Sequence, residues 1–453
     1  MENILRKIGK TADRIGLECY VVGGYVRDKL LGLQNEDIDV VVVGKGIDMA
    51  REFAKDIGSH DVITYPNFGT AAVKYNEIEV EFVGARKESY TRGSRKPIVE
   101  EGTLQDDLER RDFTINSLAM CLNSSRFGEI VDLFNGEKDL KERTIKTPVD
   151  PYITFTDDPL RMLRCIRFAC KLGFFIESNT YVALQNKAGE IVNISAERIT
   201  EELKKILLSP DPKRGIFLLQ DSGLLQYFLP ELSSLDISGA GHKNNFIHSI
   251  KVLENLVKRD PTSSVWLRLA ALLHDIGKGP TERSDGQGGW TYHGHEDVGT
   301  RMIEDIFRRL KLPLGTELEY VKKLVEMHMR PSMISTKVIT DSAVRRLLFD
   351  AGSDIDDLMT LCRSDLTTGN DEKRERILGH FDKLDEMMDD LKKRDQKRLF
   401  QPCIGGKEIM EILGCGPCKK VGDVKEFLKE SVLEGIIEND PETLINLIKE
   451  KFL

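Results

Sequence analysis

Residues 18–43 read ECYVVGGYVRDKLLGLQNEDIDVVVV. The apolar run ECYVV ends in the pair Gly23-Gly24, YVRDKLL continues as a helix stopped by Gly32, and EDIDVVVVG is a second strand. Working outward, KGIDMAREFAKDIG predicts a second helix. TAAVKY and EIEVEF predict two strands meeting at Asn76-Glu77 in a tight hairpin. Up to about residue 145 this order predicts a small unit of mostly antiparallel strands with helices, not a doubly wound parallel sheet. From Asp157 onward the apolar period is that of helices, in PLRMLRCIRFACKLGF, ERITEELKKILLS and VWLRLAALLHDIGK, with prolines at Pro210, Pro212, Pro230, Pro261, Pro313, Pro331 and Pro402 marking helix ends. No fixed-period repeat or low-complexity tract is visible. DEKRERILGHFDKLDEMMDDLKKRDQKR reads as a charged helix with a solvated face. The expected fold class is α+β, a mixed sheet with helices followed by an all-α remainder.

At 453 residues, with 40% hydrophobic and 31% charged residues, the chain is long enough for several domains with a soluble surface. No apolar run reaches the ~20 residues of a membrane span, and MENILRKIGKTADRIGLE lacks an apolar signal region. The expectation is a cytoplasmic protein with no membrane partner. Eight cysteines, mostly in apolar stretches, suit reduced core thiols. Cys415-Gly-Pro-Cys418 has no second CxxC beside it and reads as incidental. A net charge of −9 argues against a nucleic-acid coat over the whole surface. Residues 161–214, however, carry ten Lys/Arg against six Asp/Glu, which suits a local RNA-facing groove.

Two groups of residues carry chemistry. On a strand, Asp37 and Asp39 project from one face about 7 Å apart, a spacing at which two carboxylates can bridge divalent ions while a nucleoside triphosphate adds oxygens. Glu79 and Glu81 repeat the relation on a later strand. The glycine pair lets backbone N–H groups approach phosphates, and Arg27 adds positive charge. The second group is rich in histidine: six of the eight histidines lie between 242 and 328, and HDIGK occupies 274–278. His248, His293, His295, His328 and Asp365 are candidate partners for His274 and Asp275. Imidazole with carboxylate suits Mn, Fe, Ni, Zn or Mg.

VVGGYVRDKLLG, NEDIDVVV, EVEFVGARKESY, DDLERRDFTINSLAM, DLFNGEKDL, DDPLRMLRCIRFA and ERITEEL follow one another across residues 18–225. This series resembles the nucleotidyltransferase superfamily, specifically class II tRNA CCA-adding enzymes and bacterial poly(A) polymerases. The resemblance implies a nucleotidyltransferase-type head over 1–146 and a helical, base-selecting and RNA-binding neck over 147–228. It assigns Mg²⁺ to Asp37 and Asp39, with Glu81 assisting; Glu81 is preferred over Glu79 because it lies five residues before Arg86. It places Gly23, Gly24, Arg27, Arg111, Asp112, Asn116 and Arg164 at the nucleotide, and makes Asp158 and Arg161 the readers of the base. Asp can accept from the amine of cytosine or adenine while Arg donates to the ring nitrogen; uracil and guanine present the reverse pattern. CTP and ATP would thus be selected without a template strand, with tRNA as the acceptor. Ser117 replaces the family's usual alanine, and Asp157-Asp158-Pro159 replaces its Glu-Asp-Ala, where Asp158 also suits a helix N-cap.

The histidine-rich segment resembles an HD-domain metal phosphohydrolase in the order His248, His274-Asp275, His295, His328, Asp365. His295 opens HEDVG and fits that pattern better than His293. The implied domain covers 229–370, with a helical tail over 371–453. The implied cofactor is a second divalent transition metal or Mg²⁺. Six retained ligands would permit two metals and phosphoester hydrolysis; a degenerate HD fold kept as scaffold is the alternative. CIGGKEIMEILGCGPCKKVGDVKEFLKE resembles the tail of HD-containing CCA-adding enzymes. The expected function is template-independent CCA addition to tRNA with an attached HD phosphohydrolase domain. The rivals are a bacterial poly(A) polymerase, whose usual basic tail is missing, and an HD phosphohydrolase whose head only binds nucleotide or RNA.

Overall fold

Among the described residues up to Asp132, branched and aromatic runs form nine strands: β1 (Glu18–Val22), β2 (Ile38–Val43), β3 (Val62–Tyr65), β4 (Thr70–Tyr75), β5 (Ile78–Gly84), β6 (Arg86–Ser89), β7 (Ile98–Glu101), β8 (Leu118–Cys121) and β9 (Ile130–Asp132). The structure is a computed structural model that describes every residue except 60, 67–68, 77, 90–97, 237–243, 288, 336–338, 400–401 and 434–435. Seven of these strands make one sheet, ordered β3-β4-β5-β2-β1-β8-β9, while β6 and β7 pair with each other. All neighbours in the seven-stranded sheet are antiparallel except β2 and β5. The expected mixed, mostly antiparallel sheet is therefore present. Tyr75 pairs with Ile78, which leaves residues 76–77 as a two-residue connection; Asn76 has φ +55°, and Glu77 lies outside the described residues.

The strand β2 lies between β1 and β5 and is covered on both faces, so its valines form an unbroken apolar run. Phe53, from helix Gly46–Ile57, meets Phe82 of β5 with ring centroids 5.5 Å apart. Val41 points the other way, into a cluster with Tyr20, Val22, Ala85, Leu108, Ala119 and Cys121. Asp39 is the polar interruption of this strand.

Beyond the sheet the chain is mainly helical, but not all-α as expected: Thr144–Ile145 pairs with Phe175–Ile176 and Arg283–Ser284 with Trp290–Thr291 as two short two-stranded pairings. Helix Leu160–Leu172 buries Met162, Leu163, Cys165, Ile166 and Ala169 and packs on the head through Phe113 and Phe168, 5.9 Å apart and edge-on. Helix Ala196–Leu207 is tied to helix Val265–Leu273 by buried Arg268, which donates to Leu207 O at 2.8 Å and to Ser263 Oγ at 3.1 Å. One of the helix's last carbonyls thereby finds its donor.

By contacts the chain divides into two units, Met1–His328 with Thr360–Thr367, and Met329–Met359 with Thr368–Leu453. In the second unit the charged helix Asp371–Leu399 departs from the sequence reading. Phe381, Leu384, Met388 and Leu391 recur along one stripe and are buried, so only its other faces are solvated. Among the described residues no helix is long and apolar enough to cross a membrane.

Candidate active site and metal centre

The parallel pairing of β2 with β5 places Asp39 directly opposite Glu81. Side chains opposite one another on adjacent strands share a face, so the two carboxylates converge. Asp37 does not lie on the strand: it sits one residue before β2, is exposed, and is placed by its own turn. Its N–H donates to Asn35 Oδ1 at 2.8 Å, and Asn35 Nδ2 donates to Asp28 Oδ2 at 2.7 Å. Crowding and burial together raise the pKa of two of these acids. Asp39 is pushed up to about 6, first by desolvation and then by Asp37, with Arg111 opposing and Glu81 adding. Glu81 is raised for the same reasons, desolvation first, then Asp37 and Glu79. Asp39 and Glu81 are thus each disfavoured as anions where three carboxylates gather, and a divalent cation held there would remove the conflict.

Two adjoining clefts surround these acids. The larger, about 900 Å³, is lined by Gly23, Gly24, Arg27, Asp37, Asp39, Arg111, Asp112, Asn116, Asp158, Arg161 and Arg164 together. Glu81 lines the smaller, about 180 Å³, which shares Asp39, Arg110 and Arg111 with it. Gly23 has φ +68°, and a Cβ there would stand 3.0 Å from Arg111 Nη1. A glycine is needed both for the turn and for the approach of that guanidinium. Buried Asp107 holds Arg111 at 3.0 Å and Arg110 at 3.1 Å. Desolvation raises its carboxyl, but Arg111 and Arg110 outweigh it and leave the pKa below the usual range. RRD is thus both an ion-pair cluster and part of the cleft wall.

A continuous polar chain crosses the cleft floor. Arg27 Nη1 donates to Asn116 Oδ1 at 2.8 Å, Asn116 Nδ2 to Asp112 Oδ1 at 3.0 Å, and Arg164 Nε to Asp112 Oδ2 at 2.8 Å. Arg27, Arg164 and Arg167 all stand over the Phe168 ring, within 4.2–5.6 Å of its centroid. Asp112, expected at the nucleotide, lines the larger cleft but is buried and has both oxygens engaged by the protein.

Asp158 and Arg161, expected to read the base, do not stand on one helix: only Arg161 lies within helix Leu160–Leu172. Asp158 has extended backbone and precedes helix Leu160–Leu172, as the residue before a proline tends to. Its Oδ1 accepts from the Leu160 N–H at 3.1 Å and its Oδ2 from Arg198 Nη2 at 2.9 Å, so it does cap that helix start. Arg161 donates through Nη1 to Thr154 O at 3.3 Å and through Nη2 to Arg110 O at 2.6 Å. Five N–H groups and four carboxylate lone pairs leave both side chains spare capacity toward the cleft.

The sequence reading missed Asn35, Asp107, Arg110, Arg167, Lys171 and Arg198. Arg167 and Lys171 had a signal: with Arg161 and Arg164 they repeat every three or four residues, one cationic face on one helix. Asn35 and Asp107 act on other protein groups, which spacing does not reveal.

The second constellation also assembles. His274 ends helix Val265–Leu273 rather than standing within it, and Asp275 follows in the turn. His248 Nε2 lies 2.9 Å from Asp365 Oδ1 and 3.3 Å from Asp275 Oδ2. His274 Nε2 and His295 Nε2 are each 3.3 Å from Asp275, and His328 Nε2 is 3.7 Å from it. His293, the discarded alternative, is exposed. The Nδ1 atoms of His274, His295 and His328 face the carbonyls of Ala271, Tyr292 and Val325 at 2.9, 2.9 and 2.6 Å. A carbonyl only accepts, so each Nδ1 carries the proton and each Nε2 is turned toward the acids, as in metal-ligating histidines. His274 Nε2 is buried without a hydrogen-bond partner. Burial disfavours charge on His274, but Asp275 and Asp365 overcome this and hold it at about 10; His328, desolvated and beside His274, falls to about 4. A dication would supply the positive charge that these acids otherwise draw onto a ring. Two overlapping ligand sets share His274: with His248 and Asp365, and with Asp275 and His328. The donor set fits one or two divalent ions. Gly277 permits the arrangement, since a Cβ there would lie 2.0 Å from His295 O.

Comparison with known proteins gives consistent likenesses. Residues 19–146 match the poly(A) polymerase head domain, 173–235 the "Probable RNA and SrmB-binding site of polymerase A", and 245–387 the HD domain. The chain is 33% identical over 421 residues to the A-adding tRNA nucleotidyltransferase of Deinococcus radiodurans, covering 91% of this chain and 90% of that protein. It is 34% identical over 316 residues to the multifunctional CCA protein of Ralstonia nicotianae, covering 66% of this chain and 69% of that one. A solved tRNA nucleotidyltransferase in complex with a primer tRNA and an incoming ATP analog superposes with a TM-score of 0.61 at 25% identity, covering 84% of this chain and 98% of that one.

Two outcomes follow from the acid cluster. Asp39 has its ordinary pKa near 3.8 in the unfolded chain and about 6 when folded. Its contribution to stability is therefore complete below pH ~4 and is lost as pH rises through 6. In EDTA, Asp39→Asn should melt a few degrees above wild type at pH 8 and converge with it below pH 4; added Mg²⁺ should stabilise only the wild type. Asn35→Ala should raise the Mg²⁺ concentration needed for half-maximal activity about tenfold by freeing the Asp37 backbone. An Asn35→Asp/Asp28→Asn double variant, which restores the hydrogen bond with donor and acceptor exchanged, should recover most of that loss in the same titration.

Proposed function

The chain belongs to the tRNA nucleotidyltransferase family, and on that footing we propose that it extends the 3′ end of tRNA with CTP and ATP as nucleotide donors, using Asp37, Asp39 and Glu81 as the Mg²⁺-binding acids. The observation that carries the assignment of residues is the register of Asp39 against Glu81 beside two adjoining clefts that Arg110 and Arg111 also line. The 3′-hydroxyl attacks the α-phosphorus in line, a P–O bond forms, and the bond to the pyrophosphate breaks. Mg²⁺ held by Asp37, Asp39 and Glu81 would supply charge neutralisation on the reacting phosphate oxygens, and the proton of the attacking hydroxyl would leave to solvent. Arg110 and Arg111, fixed by Asp107, face the triphosphate with positive charge that needs no reorganisation during the reaction. The Gly23-Gly24 backbone admits the phosphates, and Arg27, Asn116, Asp112 and Arg164 hold the floor. Arg161, its plane fixed by two carbonyls, and Asp158, fixed by Arg198, present donors and acceptors to the base edge. The domain limits of 146, 228 and 370 are proposed with this reading.

A second reading, addition of adenosine alone, is favoured by the Deinococcus relative, whose similarity runs over 91% of the chain. The two separate in one experiment. Transcripts of one tRNA ending before CCA, after C and after CC are each incubated with Mg²⁺ and one of the four nucleoside triphosphates. CCA addition requires CTP incorporation on the first two and ATP on the third; ATP incorporation on the third alone makes the enzyme A-adding. Asp37→Ala or Asp39→Ala should lower addition by at least about 10³-fold with an unchanged circular dichroism spectrum, and Arg161→Ala should relax rejection of UTP.

For the histidine centre we propose phosphoester hydrolysis with Mg²⁺ or a divalent transition metal held by His248, His274, Asp275, His295, His328 and Asp365. Lys278 hydrogen-bonds Asp275 at the edge of this centre and adds positive charge for a phosphate. A 2′,3′-cyclic phosphate at a damaged tRNA end is the first substrate to try, since opening and removing it restores the attacking hydroxyl. His274→Ala should remove bound metal by elemental analysis and abolish hydrolysis, yet leave nucleotide addition within about twofold, because neither ligand set contributes to the other. Loss of addition in a still-folded variant would place the helical region within the transferase site.

A further inference from the structure

The sequence reading set Cys415-Gly-Pro-Cys418 aside as incidental, but its geometry does not support that. The two sulfurs stand 3.8 Å apart on the surface of the tail, Cys418 exposed and Cys415 half-buried. They occupy the turn between helix Gly406–Leu413 and helix Lys419–Leu433. Both helices are anchored in one core, through Ile409 on one side and Val424 and Leu428 on the other, with Leu444 and Ile448 closing it. The ends of the turn are therefore fixed, and the thiols meet with their loop-closure entropy already spent. A groove of about 400 Å³, lined by Lys407, Met410, Glu411, Gly414 and Cys415, opens beside the pair. The other exposed thiol, Cys403, lies outside this pair, and Cys19, Cys121, Cys165, Cys170 and Cys362 are buried.

We propose that Cys415 and Cys418 form a thiol–disulfide exchange site that takes low-molecular-weight disulfides as its substrate class and closes reversibly to an intramolecular disulfide. The environments of the two thiols differ and assign their roles. Cys418, the more exposed thiol, stands at the head of a 15-residue helix, where the nearby Val421 N–H lowers its pKa, while desolvation and Cys418 itself raise that of the half-buried Cys415. The Cys418 thiolate attacks one sulfur of RSSR, forming a mixed disulfide and releasing RS⁻, which takes up a proton. Cys415, giving up its proton, then attacks Cys418 Sγ and releases the second RSH. The balance is one RSSR reduced to two RSH and two protein thiols oxidised to one disulfide.

The test uses the full-length reduced chain and oxidised glutathione, followed by alkylation and peptide mass spectrometry. Wild type should lose two hydrogens across the Cys415–Cys418 peptide, at least about tenfold faster than Cys403 gains a glutathionyl group. Cys415→Ser should trap glutathione on Cys418, and Cys418→Ser should slow reaction at this turn about tenfold, with nucleotide addition by the reduced variants unchanged. Reaction at Cys403 as fast as at Cys418, or stable glutathionylation of Cys418 in the wild type, would overturn the proposal.

Discussion

Asp112 is buried with both carboxylate oxygens engaged, Oδ1 by the Phe113 N–H and Asn116, Oδ2 by Arg164. Desolvation raises its pKa, but Arg164 and Asn116 outweigh that and hold the group ionised below the usual range. Because a buried charge is tolerated only with its partners, this contact binds the sheet-bearing head to helix Leu160–Leu172. The rest of the nucleotide cleft depends on it. Arg27 reaches the same network through Asn116, and Arg161, one turn before Arg164, comes within reach of the Arg110 carbonyl. Acids on the sheet and cations on the helix thereby face one volume.

The two centres show two ways in which a fold prepares for a cation. In the head, hard oxygen donors converge because two strands pair in parallel at one register, and a third acid is held by a turn that Asn35 pins. In the histidine centre, imidazoles from separate helices are oriented by carbonyls near their own helix ends, so the backbone chooses the tautomer before any metal arrives. The first arrangement leaves substrate oxygens room to complete the coordination. The second is more deeply buried, apart from a half-exposed Asp365 and the Lys278 edge, and suits resident metal.

Much of this was legible in the chain. The run of valines around Asp39, the glycine pair and the turn at Asn76 follow from period, composition and local backbone preference, which neighbouring residues in sequence decide. Both sets of candidate metal-binding residues were visible through their company: Asp37 and Asp39 beside the Gly23-Gly24 pair and Arg27, and His274-Asp275 in a stretch rich in histidine. The buried stripe of helix Asp371–Leu399 was obscured by charge on its other faces, although its apolar spacing was present.

What only the tertiary structure decided is pairing between distant segments. The strand β2 could have taken several neighbours; its parallel register with β5, which sets Asp39 against Glu81, arises from packing of the intervening helix and hairpin. Asp158 read as either a base reader or a helix cap, and the fold has it capping through one oxygen while Arg198, 40 residues away, holds the other. Nothing in the local sequence singles out Asp107; burial makes it the anchor of Arg110 and Arg111. The reason is physical: local sequence fixes which conformations a segment prefers, whereas the partner of a polar group is fixed by which surfaces must leave water together, a property of the whole chain.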